Sequence, residues 1–186
     1  MIDSHCHLTD PRLGDQLDAV LMRAQTAGVS QFVTIGTDPE DAADAIAVCE
    51  KHPALVRCAI GIHPNYCQNV ELAAVETIRE LSRHPSVVAL GEMGLDYYYD
   101  FSDRSRQRTF FEKQLDLAAE TARPVVIHCR EAVDDALSVL KEHPSVRCVF
   151  HCFTGTVGEA VRIVEAGHML GFTGPITYKR NDDLRE

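Results

Sequence analysis

The chain lacks any apolar run approaching the roughly 18 residues that a membrane span requires. Its opening, Met1-Ile2-Asp3-Ser4-His5, shows neither the basic region nor the apolar stretch of a secretory signal. No membrane association is expected, and a cytoplasmic setting is. There is no C-x-x-C pair, and the seven cysteines are odd in number. Most lie within apolar runs, as Cys58 does in Val56–Ile62 and Cys148 in Val146–Phe150. That pattern fits free, buried thiols in a reducing compartment better than a disulfide framework. Basic residues are also scarce, 18 against 28 acidic ones, for a formal charge of −10. A broad basic face for long nucleic acid is thereby disfavoured, whereas an enzyme that handles phosphates through bound cations is not. No Gly/Ser-rich linker or low-complexity segment divides the 186 residues. A single domain over residues 1–186 is expected. Hydrophobic and charged fractions of 45% and 25% are those of a folded chain and exclude disorder.

What is present is a regular alternation. Short apolar or β-branched runs predict buried strands at Met1–His7, Gln31–Gly36, Val56–Ile62, Val87–Glu92, Pro124–Cys129, Arg147–Phe153 and His168–Gly174. Helical stripes lie between most of them. Leu17, Val20, Leu21, Ala24 and Ala27 form the first, stopped by Gly28. Asp38-Pro39 opens the second as N-cap and first-turn proline. Leu72, Val75, Ile78 and Leu81 mark a third; Phe110, Phe111, Gln114, Leu117 and Ala118 a fourth; Val133, Ala136, Leu137 and Leu140 a fifth; Ala160, Val161 and Val164, closed by Gly167, a sixth. Such alternation implies an α/β fold with parallel strands joined by crossovers, either a doubly wound sheet or a (β/α)8 TIM barrel. The first strand–helix turn is not glycine-rich, which weighs against a dinucleotide-binding sheet.

The chemistry lies where the apolar runs stop. His5 and His7 sit at i and i+2, on one face of a strand, so both imidazoles can reach one ion. Glu92 follows Val87-Val88-Ala89-Leu90-Gly91, where an unpaired carboxylate would be costly to bury. His128 follows Val125-Val126-Ile127, and His151 follows Cys148-Val149-Phe150. Each alone fits a surface charge or a hydrogen-bonded core histidine. Together they fall at the C-terminal ends of four predicted strands, the face on which parallel α/β folds place active sites. Four imidazoles and one carboxylate suit two neighbouring divalent cations, a pair that acidifies water and stabilises both oxygens of a displacement.

Five blocks now carry a resemblance: Asp3-Ser4-His5-Cys6-His7-Leu8, Gly61-Ile62-His63-Pro64, Gly91-Glu92-Met93-Gly94-Leu95-Asp96-Tyr97-Tyr98, Val126-Ile127-His128-Cys129-Arg130 and His151-Cys152-Phe153-Thr154-Gly155. In order, and across residues 1 to 186, they resemble the TatD family of metal-dependent deoxyribonucleases within the amidohydrolase-like barrels. The resemblance implies a (β/α)8 barrel that hydrolyses phosphodiesters at DNA ends or in short nucleic acids, in the 3′ to 5′ sense. It implies two divalent ions (Mg, Mn or Zn). His5 and His7 would hold one ion and His128 and His151 the second. Glu92, the candidate catalytic carboxylate, would bridge them. His63 and Arg130 would face the substrate. Arg130 has the planar fork that binds phosphate oxygens in pairs, though a surface ion pair fits it equally, and His63 fits equally a histidine packing the turn at Pro64. Tyr97-Tyr98-Tyr99 fits either base stacking or an amphipathic lid. Cys6, Cys129 and Cys152 are expected to point away from the site, by strand alternation.

The family pattern also carries an aspartate at the end of an eighth strand, as metal ligand and general base. The 186 residues contain no such segment; Asn181–Glu186 reads as the opening of a further helix, with Asp182-Asp183 as its starting charge pair. The expectation is a C-terminally incomplete barrel of about seven strands, which a second chain or a further segment would complete. Two other functions fit the ligand set: a metal-dependent hydrolase of a small substrate, and an inactive metal-binding barrel.

Overall fold

A computed structural model describes residues 1–185; Glu186 lies outside the described residues. Strands and helices alternate as β1 (Ile2–Cys6), α1 (Leu17–Thr26), β2 (Gln31–Gly36), α2 (Pro39–Lys51), β3 (Val56–Ile60), α3 (Ala74–Leu81), β4 (Val87–Asp96), α4 (Arg104–Thr121), β5 (Val125–Arg130), α5 (Val133–Lys141), β6 (Cys148–Phe150), α6 (Val157–Glu165) and β7 (Met169–Leu170). Local chemistry sets their ends. The Asp38 carboxylate accepts from the amides of Glu40 and Asp41, both at 2.9 Å, and Pro39 occupies the first turn of α2. Gly28, at φ 95°, lets the chain leave α1, with the Val29 amide returning to the Ala24 carbonyl. Thr156 and Glu159 form a reciprocal capping box at the start of α6.

All neighbouring strands pair in parallel, in the order β1-β2-β3-β4-β5-β6-β7. A doubly wound sheet reverses its strand order at a switch point, so sequential order excludes it. The fold is of the (β/α)8 TIM-barrel type, with seven strands and no eighth among the described residues. The strands at the two edges, β1 and β7, leave Ile2 and Met169 exposed, and Val157, Val161 and Val164 of α6 are exposed too. No helix among the described residues is long and apolar enough to cross a membrane.

Strand alternation sorts side chains into two layers. Ile35, Ala59, Ala89 and Val126 form a small cluster on one face of the sheet. The larger cluster lies between the other face and the helices and includes Phe110, Phe111, Leu115 and Leu117 of α4. Val126, His128 and Arg130 alternate along β5 on the face of the small cluster. Ile127 belongs to the large cluster, and Cys129 packs against it. Cys6 also packs there, its thiol 3.4 Å from the Val33 carbonyl.

Several segments differ from the sequence reading. β4 does not stop at Glu92 but runs on to Asp96, through a register shift against β5 between Leu90 and Met93. β6 and β7 are shorter than their apolar runs: the chain turns at His151 and leaves the sheet after Leu170. Asn181–Arg185 forms a turn and not a helix, with Asp182 paired to Arg185. Cys152 adopts φ 47° and meets the Thr173 hydroxyl at 2.7 Å, outside the main core.

Candidate metal centre

Glu92 is 3% exposed and lies at the middle of β4, where imidazoles from four other segments converge on it. His128 Nδ1, from β5, is 3.0 Å from Oε1. His151 Nε2, one residue past β6, is 2.7 Å from the same oxygen. His5 Nε2, from β1, is 3.5 Å from Oε2, and its ring stacks on His151 with centroids 3.7 Å apart. His63 Nε2, beyond β3, stands at 3.7 Å from Oε1. Burial pushes the Glu92 carboxyl up. The imidazoles of His128, His151 and His5 beside it reverse that and hold it well below its ordinary range.

Donor atoms of His5, Glu92 and His151 lie within 4.8 Å of one another, as do those of His63, Glu92 and His128. Glu92 is common to both groups. His7 lies outside them. It follows the last residue of β1, and the register of β1 on β2 shifts between Asp3 and Cys6. Its ring still stands edge-on to His5, centroids 5.3 Å apart, on the wall of the same cavity.

The residues present fit a cation. Both ring nitrogens of His5 and Nδ1 of His151 are buried with no hydrogen-bond partner. Leaving such atoms bare costs about 1–3 kcal/mol each. A cation beside Glu92 would engage the orphaned Nε2 of His5 and the Nε2 of His151, the two nitrogens that face the carboxylate. His63 behaves differently. Its Nδ1 accepts the Asn65 backbone N–H at 3.1 Å, so the neutral ring carries its proton on Nε2. Nε2 thus faces the site as a donor, not as a lone pair. Burial, outweighing the nearby Glu92 charge, lowers the His63 pKa to about 4 and keeps that ring neutral.

The sequence reading missed Asp96. Its Oδ2 lies 2.9 Å from His128 Nε2, and its Oδ1 accepts the amides of Tyr98 and Tyr99, both at 3.0 Å. His128 is therefore gripped at both nitrogens by carboxylates. Burial opposes its charge, yet Asp96 and Glu92 overcome this and raise its pKa to about 9. Burial would raise Asp96, but the His128 contact and the two tyrosine amides hold it at about 2. A histidine fixed through its far nitrogen by a carboxylate is the usual partner arrangement of a metal-binding imidazole. The signal lies in the run Gly91–Tyr98, hidden because the apolar stretch of β4 breaks at Glu92.

Two buried glutamines of α4, two turns apart on one face, hold the backbone of this site. Gln107 accepts from the Asp96 amide at 2.8 Å and donates to the Asp96 and Ser102 carbonyls. Gln114 accepts from the Ile62 amide at 2.7 Å and donates to the Ile62 carbonyl, next to His63.

Arg130, at the end of β5, makes no ion pair among the described residues; its guanidinium lies over Tyr98 at 3.8 Å and Tyr99 at 4.9 Å. The tyrosine run divides. Tyr97 donates its hydroxyl to Asp135 at 2.7 Å, whereas Tyr98 and Tyr99 are exposed. Two open cavities of about 1000 Å³ and 1050 Å³ meet at the shared wall of His128 and His151. The first holds His7, His63 and Glu92, and the second Arg130.

The family model described as TatD related DNase matches residues 2–186. A 3'-5' ssDNA/RNA exonuclease TatD from Erwinia tasmaniensis is 37% identical over 189 residues, covering 100% of this chain and 73% of its own. The uncharacterized metal-dependent hydrolase YabD of Bacillus subtilis is 35% identical over 188 residues, with 100% and 73% covered. The crystal structure of YjjV, a TatD homologue from Escherichia coli, superposes with a TM-score of 0.92 at 33% identity, over 100% of this chain and 72% of that one. With the family matched along its length and the fold shared, this chain belongs to the TatD related DNase family.

Proposed function

We propose that this protein is a divalent-metal-dependent phosphodiesterase that removes nucleotides from the 3′ ends of single-stranded DNA or short nucleic acid. The observation that carries the reading is the buried Glu92 carboxylate ringed by His5, His63, His128 and His151. The Erwinia relative, a 3'-5' ssDNA/RNA exonuclease by name, supports the substrate class. His5, His7 and His151 on one side of Glu92 and His128 on the other are the residues that would hold two ions. When bound, such a pair supplies Lewis acidity and neutralises a phosphate. Imidazole-rich ligation favours zinc or manganese over magnesium, which prefers oxygen ligands.

The chain's own residues do the rest. Glu92 supplies the negative charge shared between the two sides, and Asp96 fixes the ring of His128 through its far nitrogen. His63 presents an Nε2–H donor, suited to a phosphate oxygen, and Gln114 steadies its backbone. Arg130 offers a second, charged fork. Residues 1–186 act as one hydrolase domain in this reading, and the seven unpaired thiols support a reducing, cytoplasmic setting.

The test uses a 5′-labelled single-stranded oligonucleotide. With manganese or zinc, a ladder shortening from the 3′ end is expected, abolished by chelator and by Glu92→Gln. An intact oligonucleotide, with hydrolysis of small esters or amides instead, would replace this reading with that of a small-substrate hydrolase. Metal binding without hydrolysis of either would leave a metal-binding barrel.

A further inference from the structure

We propose that Tyr98, Tyr99 and Phe101, backed by Arg130, form a stacking rail for the unpaired bases of a single strand whose end lies at Glu92. The proposal rests on the nucleic-acid reading above and assigns the part of the molecule that holds the bases. The rings make a continuous ladder. Tyr98 and Tyr99 meet edge to face at 4.8 Å, and Tyr99 stacks on Phe101 at 5.1 Å with planes 20° apart. All three are solvent-exposed, at 54%, 42% and 60%, so the ladder presents contiguous ring surface to water.

The ladder is fixed in place. Asp96 Oδ1 accepts the amides of Tyr98 and Tyr99, while Oδ2 of the same carboxylate grips His128. One side chain therefore ties the rail to the metal centre. The rail also joins the two cavities, because Phe101 lines the one holding His63 and Arg130 lines the other. The Arg130 guanidinium sits over the Tyr98 ring and makes no ion pair among the described residues, which leaves its donors for phosphate oxygens.

These features select one occupant. An apolar peptide would not call for an unpaired cation along the ladder. A duplex keeps its bases stacked on each other and offers no face to the rings. A single strand supplies bases for the rings and phosphates for Arg130, and every base has a π-face, so such contacts tolerate sequence.

The experiment follows binding separately from cleavage. The whole chain, in chelator, is titrated into a single-stranded oligonucleotide carrying 2-aminopurine near its 3′ end. The absence of tryptophan keeps the protein background low. The wild-type protein is expected to quench the fluorophore, and Tyr99→Ala with Phe101→Ala to raise Kd about tenfold or more, from loss of base stacking. Tyr99→Phe, which keeps the ring, is expected to bind as the wild type does. With metal, the double variant is expected to raise KM about tenfold while kcat stays within about twofold, and to lose preference for single strand over blunt duplex. Absence of wild-type quenching, or unchanged Kd and KM in the double variant, would overturn the rail. If the wild-type protein binds and quenches but, metal-loaded, leaves the strand intact, the rail stands and the nuclease reading fails.

Discussion

Asp96→Asn changes one oxygen to a nitrogen and reverses the direction of one hydrogen bond. In the native arrangement His128 donates from Nε2 to Asp96 Oδ2 at 2.9 Å, leaving Nδ1 toward Glu92. The other oxygen of residue 96 accepts two amides, from Tyr98 and Tyr99. An asparagine must keep its carbonyl oxygen there, because its NH2 cannot accept them. The NH2 then faces His128 Nε2 and makes it an acceptor, so the neutral ring's proton moves to Nδ1, the nitrogen that would bind a metal. Loss of such an orienting carboxylate typically costs about 10–100-fold in metal affinity, or about 1.4–2.7 kcal/mol. Calorimetric titration with manganese or zinc is expected to show the His128 side weakened by that factor and the His5 side little changed. The apo melting temperature should fall only slightly, since the loop amides keep their acceptor. Two binding steps with unaltered affinities would refute the assignment of Asp96 as the group that sets the His128 tautomer.

Gly94 sits at φ 137°, where an added Cβ would lie 2.1 Å from the His128 carbonyl oxygen; Gly94→Ala is expected to destabilise the fold by about 3 kcal/mol or more, and an unchanged urea midpoint would contradict that. Gln114→Ala strips the buried Ile62 amide and carbonyl of their partners; a loss of about 1–3 kcal/mol in urea unfolding is expected, together with a raised KM as the His63 segment loosens. A metal that binds the native state at a free concentration about 100-fold above Kd stabilises it by about 2.7 kcal/mol. Chelation is therefore expected to lower Tm by about 5–11 °C, and an identical melt with and without chelator would count against a folded-state metal site.

Much of the candidate site was legible because buried parallel strands are apolar until they reach the rim of the sheet. Polar residues that end such runs, as His128 and His151 do, announce themselves. Helix boundaries at Gly28, Asp38 and Gly167 were equally plain, since glycine and the aspartate–proline pair act through local geometry. Asp96 was not, because the shift between Leu90 and Met93 and the polar Glu92 make β4 look finished four residues early. Period-two alternation puts His5 and His7 on one face of a strand, and their rings do meet edge-on; the stacking of His5 on His151, residues far apart along the chain, has no signal in the sequence. Gln107 and Gln114 read as helix positions, and only the three-dimensional packing of α4 on β4 and on the segment after β3 shows what their amides hold.

In the proposed reading Glu92 lies between two divalent cations held by side chains from β1, β4, β5 and the turn after β6. Anomalous diffraction from crystals grown with manganese or zinc tests it most directly. Two peaks flanking the Glu92 carboxylate, one beside His5 and His151 and one beside His128, are expected. Peaks away from Glu92, or none at saturating metal, would contradict it.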